Sequence, residues 1–436
     1  MQLTIEKLIY GGDGLARLPS GDAARAGKAV FVPFTIPGER VEARIVEEKP
    51  GFARARVEQI VERSPERIEP GCPYFGECGG CQYQHLDYDG QLRAKSAILR
   101  ETLQRTAKID PPEIVTHASP PWNYRNRTRM RVRTGAEFAI GYHRFASHAL
   151  LPVRECPISS PLINRALAAI WKLGERGAVP SAASEIEFFV NAEDAEAMLE
   201  ITLAQGQRRV LRELAIFADA LRAELPELAG VVPFVEEGRS VRRLDVPVEL
   251  EKSFGRDSLL YRAGGMQYQV SAGSFFQTNR YLVDTMIALA TAGASGGYAL
   301  DLYAGVGLFT LPLSQNFREV AAVEIAPFSF HDLTANELAS VTGYRTRVDT
   351  FLLHVPEGTR FDYVVVDPPR GGLGEAIAHA LGNLKAPRIT YVSCDPATFA
   401  RDLKVLGAAG YKVESLHLLD LFPQTFHIET VAHLIL

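Results

Sequence analysis

A lone cysteine at the end of an apolar stretch offers the clearest chemistry in the sequence. Residues 389–393 predict a buried strand, and Asp395-Pro396 predicts a helix start, since Asp is a good N-cap and Pro suits the first helical position. Cys394 lies between the two. Backbone N–H groups and the helix dipole at such a position favour a thiolate over a thiol. The alternative is a small apolar residue that ends a core strand.

A glycine-containing loop follows another predicted strand. The run Asp301-Leu302-Tyr303-Ala304-Gly305-Val306-Gly307 ends a strand and lets the backbone pass close to a ligand at a helix N-terminus. The next predicted strand ends at Glu324, where an acid is placed to accept hydrogen bonds from ribose hydroxyls. The pattern predicts a ligand with an adenosine-like unit. It does not separate a nicotinamide cofactor from S-adenosylmethionine.

Two further carboxylates are predicted near strand ends. Asp367 opens the run Asp367-Pro368-Pro369-Arg370, in which prolines stiffen a strand-exit loop at the ligand-binding edge of an open α/β sheet. Glu429 precedes or begins a final apolar strand. A carboxylate there is either an edge charge or a base beside the cofactor pocket.

The other four cysteines form one group. Cys72, Cys78 and Cys81 lie within ten residues, and Cys156 follows far downstream beside Pro157. Four thiolates suit a zinc ion or an iron–sulfur cluster, and Cys78-Gly79-Gly80-Cys81 alone also fits a redox pair. The uneven spacing, with a distant fourth cysteine, favours a 4Fe–4S cluster.

Arginines alternate with other residues from residue 125 to residue 133. In a strand, their side chains would project from one face, where five like charges repel each other unless an anion lies between them. The sequence therefore favours a phosphate contact over a solvated strand face for Arg125, Arg127, Arg129, Arg131 and Arg133.

These residues fall on three predicted domains. Short strands with close turn signals predict an OB-like β-barrel over residues 1–62. Its basic and aromatic residues form either a surface for stacking and phosphate contacts or an ordinary solvated surface over core aromatics. Residues 63–255 predict a central α/β domain that holds the cysteines, with the packing of residues 91–120 left open. Strands alternate with helices over residues 256–436, which predicts a Rossmann-like parallel sheet.

Composition sets broad limits. The chain has 436 residues, 47% of them hydrophobic and 23% charged, and a formal net charge of −5. These values are ordinary for a globular protein, and an acidic chain can still carry a basic face. The first residues show no signal-peptide core, and no apolar run is long enough to cross a bilayer. We expect a cytoplasmic, monomeric protein.

Together, these motifs resemble the cluster-containing RNA uridine-5-methyltransferase family over nearly the whole chain. The resemblance implies a TRAM domain for residues 1–62 and a class I methyltransferase domain that uses S-adenosylmethionine. It implies 4Fe–4S ligation by the four grouped cysteines and cofactor contacts from Gln277, Tyr303, Glu324, Asp349 and Asp367. Gln277 lies in the run Phe276-Gln277-Thr278-Asn279, which is similar to the family's Phe-x-Gln-x-Asn element. Leu308 departs from the family pattern, because several relatives carry a polar residue there.

The same resemblance implies a mechanism and a substrate. Ser393-Cys394-Asp395-Pro396 matches the nucleophile motif, and His427-Ile428-Glu429-Thr430 matches the general-base motif. The expected reaction is methylation of uridine C5 in RNA through a covalent adduct of Cys394. Ribosomal RNA is the expected substrate, and transfer RNA is the alternative. The rival functions are an RNA methyltransferase acting on an exocyclic amine and a non-catalytic iron–sulfur RNA-binding protein. Arg370, in place of an aromatic residue, disfavours the first rival.

Overall fold

The computed structural model describes residues 1–18, 27–135, 137–204, 208–238, 240–246, 248–336 and 339–436. Its amino-terminal part is a six-stranded sheet with the spatial order β1-β5-β6-β4-β3-β2. The strands are β1 Gln2–Thr4, β2 Lys7–Leu8, β3 Asp13–Arg17, β4 Ala29–Pro33, β5 Arg40–Glu48 and β6 Phe52–Glu62. Alternating apolar residues such as Val30, Val32, Val41 and Ala43 form its small core. We call this unit the N-terminal sheet.

Residues 63–87, which hold Cys72, Cys78 and Cys81, are called the cysteine segment. Helix α1 (Tyr88–Thr102) and strand β7 (Ile114–His117) connect it to the rest of the chain. Asp87 caps α1 through its side chain, which accepts the N–H of Gly90. Ile98 and Leu99 of α1 pack into the core of the carboxyl-terminal part. Strand β7 pairs with that part as well, so residues 91–120 lie largely against it.

The central part is a seven-stranded sheet with the order β10-β9-β8-β11-β12-β13-β14. Even-numbered residues such as Ile186 and Phe188 pack against two helices, whereas Phe189 faces the carboxyl-terminal part. We call it the central sheet. Its elements are β8 Arg127–Arg133, β9 Ala139–His143, β10 Leu150–Pro152, α2 Pro161–Glu175, β11 Ala183–Val190, β12 Ala197–Leu203, α3 Arg208–Glu224, β13 Leu228–Glu237, β14 Ser240–Arg243 and α4 Glu251–Phe254.

The carboxyl-terminal part is an eight-stranded sheet between two helical layers. Its order is β19-β18-β17-β20-β21-β23-β22-β7, and a hairpin of β15 and β16 packs beside it. We call it the C-terminal sheet. Its elements are β15 Ser258–Ala263, β16 Met266–Ser271, α5 Val283–Ala290, β17 Gly296–Leu302, α6 Thr310–Ser314, β18 Phe317–Val323, α7 Pro327–Asn336, β19 Val341–Tyr344, α8 Val348–Leu353, β20 Tyr363–Val366, α9 Glu375–Asn383, β21 Arg388–Ser393, α10 Pro396–Ala408, β22 Lys412–Leu419 and β23 Glu429–Ile435.

Strand directions in the C-terminal sheet decide where its functional residues meet. Strands β17 to β21 run parallel, so their carboxyl ends lie on one edge. Strand β23 runs antiparallel to β21, with Thr430 opposite Ser393, and therefore starts at that same edge. Within the described part of the chain, no helix has both the length and the apolar character needed to cross a bilayer.

Candidate active site

The nucleophile candidate lies on a tight strand-to-helix turn. Strand β21 ends at Ser393, and Asp395 caps α10 by accepting the N–H groups of Ala397 and Thr398, each at 3.0 Å. Cys394 sits between them and is half-buried. This local geometry is the one that its sequence predicts.

The protonation state of Cys394 differs from the sequence-based prediction. Burial, then the charges of Glu429 and Asp367, raise the pKa of the Cys394 thiol to about 12, and Arg370 opposes this shift only in part. The prediction that the helix N-terminus favours a thiolate is therefore wrong for the free protein. Desolvation and two neighbouring carboxyl groups outweigh the helix dipole.

The two carboxyl groups beside Cys394 come from different strands. Asp367 follows β20, and Glu429 begins β23 and is only 4% exposed. Burial raises the pKa of Asp367 to about 7. Burial and the charge of Asp367 raise the pKa of Glu429 well above its ordinary value. The site therefore holds two carboxyl groups that keep their protons to a higher pH than usual.

The glycine loop and the ribose-acid candidate are in direct contact. The Glu324 carboxylate accepts the N–H of Gly305 at 2.9 Å and the N–H of Ala326 at 2.6 Å. Tyr303 starts the loop with a φ of +63°, a conformation uncommon for a residue with a side chain. The contact places the carboxylate of β18 beside the loop that follows β17.

Asp301 is a further acid that the motif contained but that the sequence did not single out. It is fully buried in β17, and Thr310 donates a hydrogen bond to its Oδ2 at 2.6 Å. Its Oδ1 has no hydrogen-bond partner within the described residues. Burial, together with the charges of Asp367 and Glu324, raises the pKa of Asp301 to about 7. An acid in an otherwise apolar strand was the signal available in the sequence.

Gln277 and Asp349 lie on separate elements around this edge. Gln277 is buried on the loop after β16, and its carbonyl accepts a hydrogen bond from the Asn126 amide at 3.0 Å. Asp349 is half-buried in the first turn of α8, where a hydrogen bond from Arg347 lowers its pKa to about 2. Electrostatic interaction between Asp349 and Tyr303 places this acid near the glycine loop.

The four grouped cysteines line a single cavity of about 740 Å³. The thiols are free, and Cys81 and Cys156 are buried. Burial raises the pKa of Cys78 to about 11, with smaller contributions from the charges of Cys156 and Cys72. Over the described ranges, no set of three or more His, Cys, Asp or Glu residues has a geometry that could hold a metal ion. The structure thus gathers the four thiols around one cavity without arranging them around a single metal ion.

The arginine strand is not an uncompensated basic face, and that part of the prediction is wrong. Arg127 is buried and paired with Glu187 and Glu200 of the neighbouring strands, while Arg131 pairs with Glu185 at 3.2 Å. Arg125 precedes β8 and is half-buried beside the cysteines, where it lines the same cavity. Carboxylates across the sheet neutralise much of the charge, and burial removes Arg127 from contact with a phosphate backbone.

A buried ion pair, not anticipated from the sequence, holds the loop before Glu429. Lys95 of α1 lies 2.6 Å from Asp420 and also donates to the carbonyl of Phe422 at 2.9 Å, with both charged side chains fully buried. Gln91 and Gln424 exchange two hydrogen bonds of 2.9 and 3.0 Å. We call residues 420–428, between β22 and β23, the base loop.

Comparison with known proteins identifies two matching families. The tRNA (uracil-5-)-methyltransferase model matches residues 87–347 and 355–435, and the TRAM domain model matches residues 1–57. Asp349 lies between the two matched ranges of the first model.

Individual relatives agree with these matches. An uncharacterised RNA methyltransferase of Aquifex aeolicus is 36% identical over 441 residues, which cover 99% of this chain and 97% of that protein. Another, from Halalkalibacterium halodurans, is 32% identical and covers 99% of this chain and 96% of its own length. The structure of Pyrococcus abyssi tRNA (uracil-54, C5)-methyltransferase with S-adenosyl-L-homocysteine has a TM-score of 0.74 at 24% identity, with both chains fully covered. This last similarity confirms the methyltransferase fold. The chain belongs to the RNA uracil-5-methyltransferase family, as an S-adenosylmethionine-dependent enzyme with an amino-terminal TRAM domain.

Proposed function

We propose that the enzyme methylates C5 of a uridine in folded RNA through a covalent bond between Cys394 Sγ and uracil C6. One observation carries the proposal. Cys394, Glu429 and Asp367 come from three separate strands, and the two carboxyl groups act electrostatically on the thiol at one sheet edge. A thiol and an adjacent base are the groups that this chemistry requires.

The reaction follows from the weak nucleophilicity of C5. Addition of the sulfur to C6 converts the ring to an enolate, in which C5 carries electron density. C5 then attacks the methyl group of S-adenosylmethionine, and S-adenosylhomocysteine leaves. Glu429 takes the C5 proton, the C6–S bond breaks, and the thiolate is released with the methylated uridine. A uridine within a duplex has to be flipped out first.

The raised pKa values define what each residue contributes. Because the pKa of Cys394 is about 12, the thiol proton must pass to water as the C–S bond forms, and the thiolate released at the end takes back a proton from Glu429. The raised pKa of Glu429 makes its carboxylate a stronger base for the C5 proton. Asp367, with a pKa of about 7, donates a hydrogen bond to a pyrimidine carbonyl when it is protonated.

The cofactor contacts are proposed on the same edge. Glu324, already oriented by the N–H groups of Gly305 and Ala326, accepts the ribose hydroxyls. Tyr303, Gln277 and Asp367 contact the remainder of S-adenosylmethionine. Asp349 is the proposed acid on the adenine side, which requires its exposed pair with Arg347 to remain accessible.

Two substitutions test the chemistry. Cys394→Ala removes the nucleophile and should abolish methyl transfer from labelled S-adenosylmethionine, so retained turnover overturns the assignment. Glu429→Gln should block the final elimination and trap a covalent protein–RNA adduct, which denaturing electrophoresis detects. Glu414→Gln alters an exposed strand carboxylate paired with Arg388 and serves as the control.

The target RNA forms a separate part of the proposal. Ribosomal RNA is the first substrate proposed, and transfer RNA is the second because the Pyrococcus abyssi neighbour is a tRNA (uracil-54, C5)-methyltransferase. The TRAM domain and the exposed Arg131 and Arg133 contact the RNA backbone. Mapping 5-methyluridine in both RNA classes from cells lacking the gene decides between them.

The four grouped cysteines are proposed to hold a 4Fe–4S cluster. Their convergence on one cavity and the positive charge of Arg125 beside Cys156 and Cys81 fit an anionic, thiolate-bound group. When bound, such a cluster supplies a rigid cross-link between residues 72–81 and Cys156. Anaerobically purified protein should contain iron and acid-labile sulfide, and Cys81→Ser should lower both; zinc in their place contradicts the cluster.

A further inference from the structure

One residue of the TRAM domain extends into the candidate active site. Tyr10 lies in the turn between β2 and β3, yet its ring packs into the core formed by the C-terminal sheet. It meets Phe426 of the base loop edge-to-face, with ring centroids 5.4 Å apart. This packing carries the Tyr10 hydroxyl to the strand-to-helix turn that bears Cys394.

The Tyr10 hydroxyl binds the residue next to the nucleophile. It donates a hydrogen bond to Asp395 Oδ2 at 3.0 Å, while Asp395 Oδ1 accepts the two backbone N–H groups at the start of α10. Each carboxylate oxygen therefore has its own role. One anchors the helix, and the other anchors the TRAM domain.

A cation completes this arrangement. Arg370 Nε lies 3.9 Å from Asp395 Oδ2, and the guanidinium also interacts with the Tyr10 hydroxyl. Among the charged groups around Cys394, which are Glu429, Asp367, Asp395 and Arg370, only the arginine favours a thiolate. Its side chain is 59% exposed, so few other contacts hold it in place.

We propose that Tyr10 is a positioning residue for the nucleophile, by which the docked TRAM domain fixes Asp395 and Arg370 beside Cys394. The inference rests on the proposed role of Cys394. Without the hydroxyl, the Asp395 charge is less compensated and Arg370 loses a partner. Both changes disfavour the thiolate.

The test uses the full-length enzyme with Tyr10→Phe, which keeps the ring and its contact with Phe426. Iodoacetamide alkylation followed by peptide mass spectrometry separates Cys394 from the other four cysteines. At a fixed alkaline pH, Cys394 should be alkylated about 2- to 10-fold more slowly than in the wild type, the range expected from one hydrogen bond. The kcat of methyl transfer should fall by a similar factor, with the KM for RNA little changed.

A matched variant separates positioning from general stability. Tyr411 also donates one hydroxyl hydrogen bond, to the carbonyl of Ala386 at 2.8 Å, but at the opposite edge of the sheet. Tyr411→Phe should leave alkylation of Cys394 and kcat unchanged. An unchanged alkylation profile in Tyr10→Phe overturns the positioning role. Turnover by Cys394→Ala instead overturns the proposed function, so the two failures are distinguishable.

Discussion

At the scale of single residues, the candidate site is rich in acids that retain protons. Asp301 and Asp367 both have pKa values raised to about 7, and burial is the largest cause for each. A buried carboxyl group with a raised pKa stabilises the folded protein while it is protonated and loses that contribution as it ionises. These two groups should therefore make the folded protein more stable in mild acid than in base.

Asp301→Asn tests this dependence. The folded state keeps the Asp301 proton between its ordinary pKa of 3.8 and about 7, so wild-type stability falls as pH rises through that window. The amide cannot ionise, so the variant should gain roughly 1–3 kcal/mol relative to the wild type between about pH 5 and pH 8. Calorimetric Tm values across this range measure the trend.

The control is an aspartate whose pKa moves in the opposite direction. Backbone N–H groups of Tyr298 and Gly297 lower the pKa of the exposed Asp362. The contribution of Asp362 to folding stability is lost only in strong acid. The Tm values of Asp362→Asn and the wild type should therefore change in parallel from about pH 5 to pH 8. A Tm difference between Asp301→Asn and the wild type that does not vary with pH contradicts the prediction.

At the scale of elements, strand β8 combines a buried and an exposed ion pair on one face. Arg127 pairs with Glu187 and Glu200, and its guanidinium also donates to the carbonyl of Ser274, on the loop that carries Gln277. Glu200 accepts the N–H of Gly273 on that loop at 2.9 Å. The buried end of the strand therefore joins the central sheet to the loop that carries Gln277.

Arg127→Met should destabilise the protein strongly. The variant leaves Glu200 buried without its cationic partner, a change that typically costs about 3–5 kcal/mol. Arg131→Met is the matched control on the same strand face. Its pair with Glu185 is 46% exposed on the arginine side, so the loss should stay below about 1 kcal/mol. Equal losses in denaturant unfolding would show that burial does not separate the two pairs.

The strand ends of the C-terminal sheet could be predicted from the sequence. Apolar runs followed by Glu324, Asp367 and Cys394 indicate parallel strands, whose carboxyl ends share an edge. The neutralisation of the arginines could not be predicted. It depends on which strand pairs with β8, and the glutamates at 185 and 187 come from a strand more than fifty residues further along the chain.

At the scale of the whole molecule, three separate parts of the chain converge on the base loop. Gln82 and Tyr83 of the cysteine segment donate their N–H groups to the Gln424 carbonyl at 3.0 and 2.9 Å. Helix α1 holds the loop through Lys95, and the TRAM domain holds it through Tyr10 and Phe426. Gln424 adopts a φ of +69°, which such surrounding contacts can maintain.

Contacts of this range leave no local pattern in a sequence. Tyr10 and Asp395 are 385 residues apart, and Lys95 and Asp420 are 325 residues apart. A lysine on the buried side of α1 becomes interpretable only when the aspartate opposite is known. The site was predictable where neighbouring strand ends define it, and not where distant domains complete it.

Loss of the proposed metal cluster should therefore loosen the base loop. Cys81 immediately precedes Gln82 and Tyr83, whose N–H groups donate to the Gln424 carbonyl. Loss of the bond between Cys81 and the cluster should therefore weaken these two hydrogen bonds. In Cys81→Ser, amide hydrogen exchange should accelerate in residues 420–428 and in residues 72–86. Amides of α3, on the far side of the central sheet, should exchange as in the wild type. Unchanged exchange in the base loop would contradict this prediction. It would mean that helix α1 and the TRAM domain hold the loop on their own, and that Cys81 has no part in ordering it.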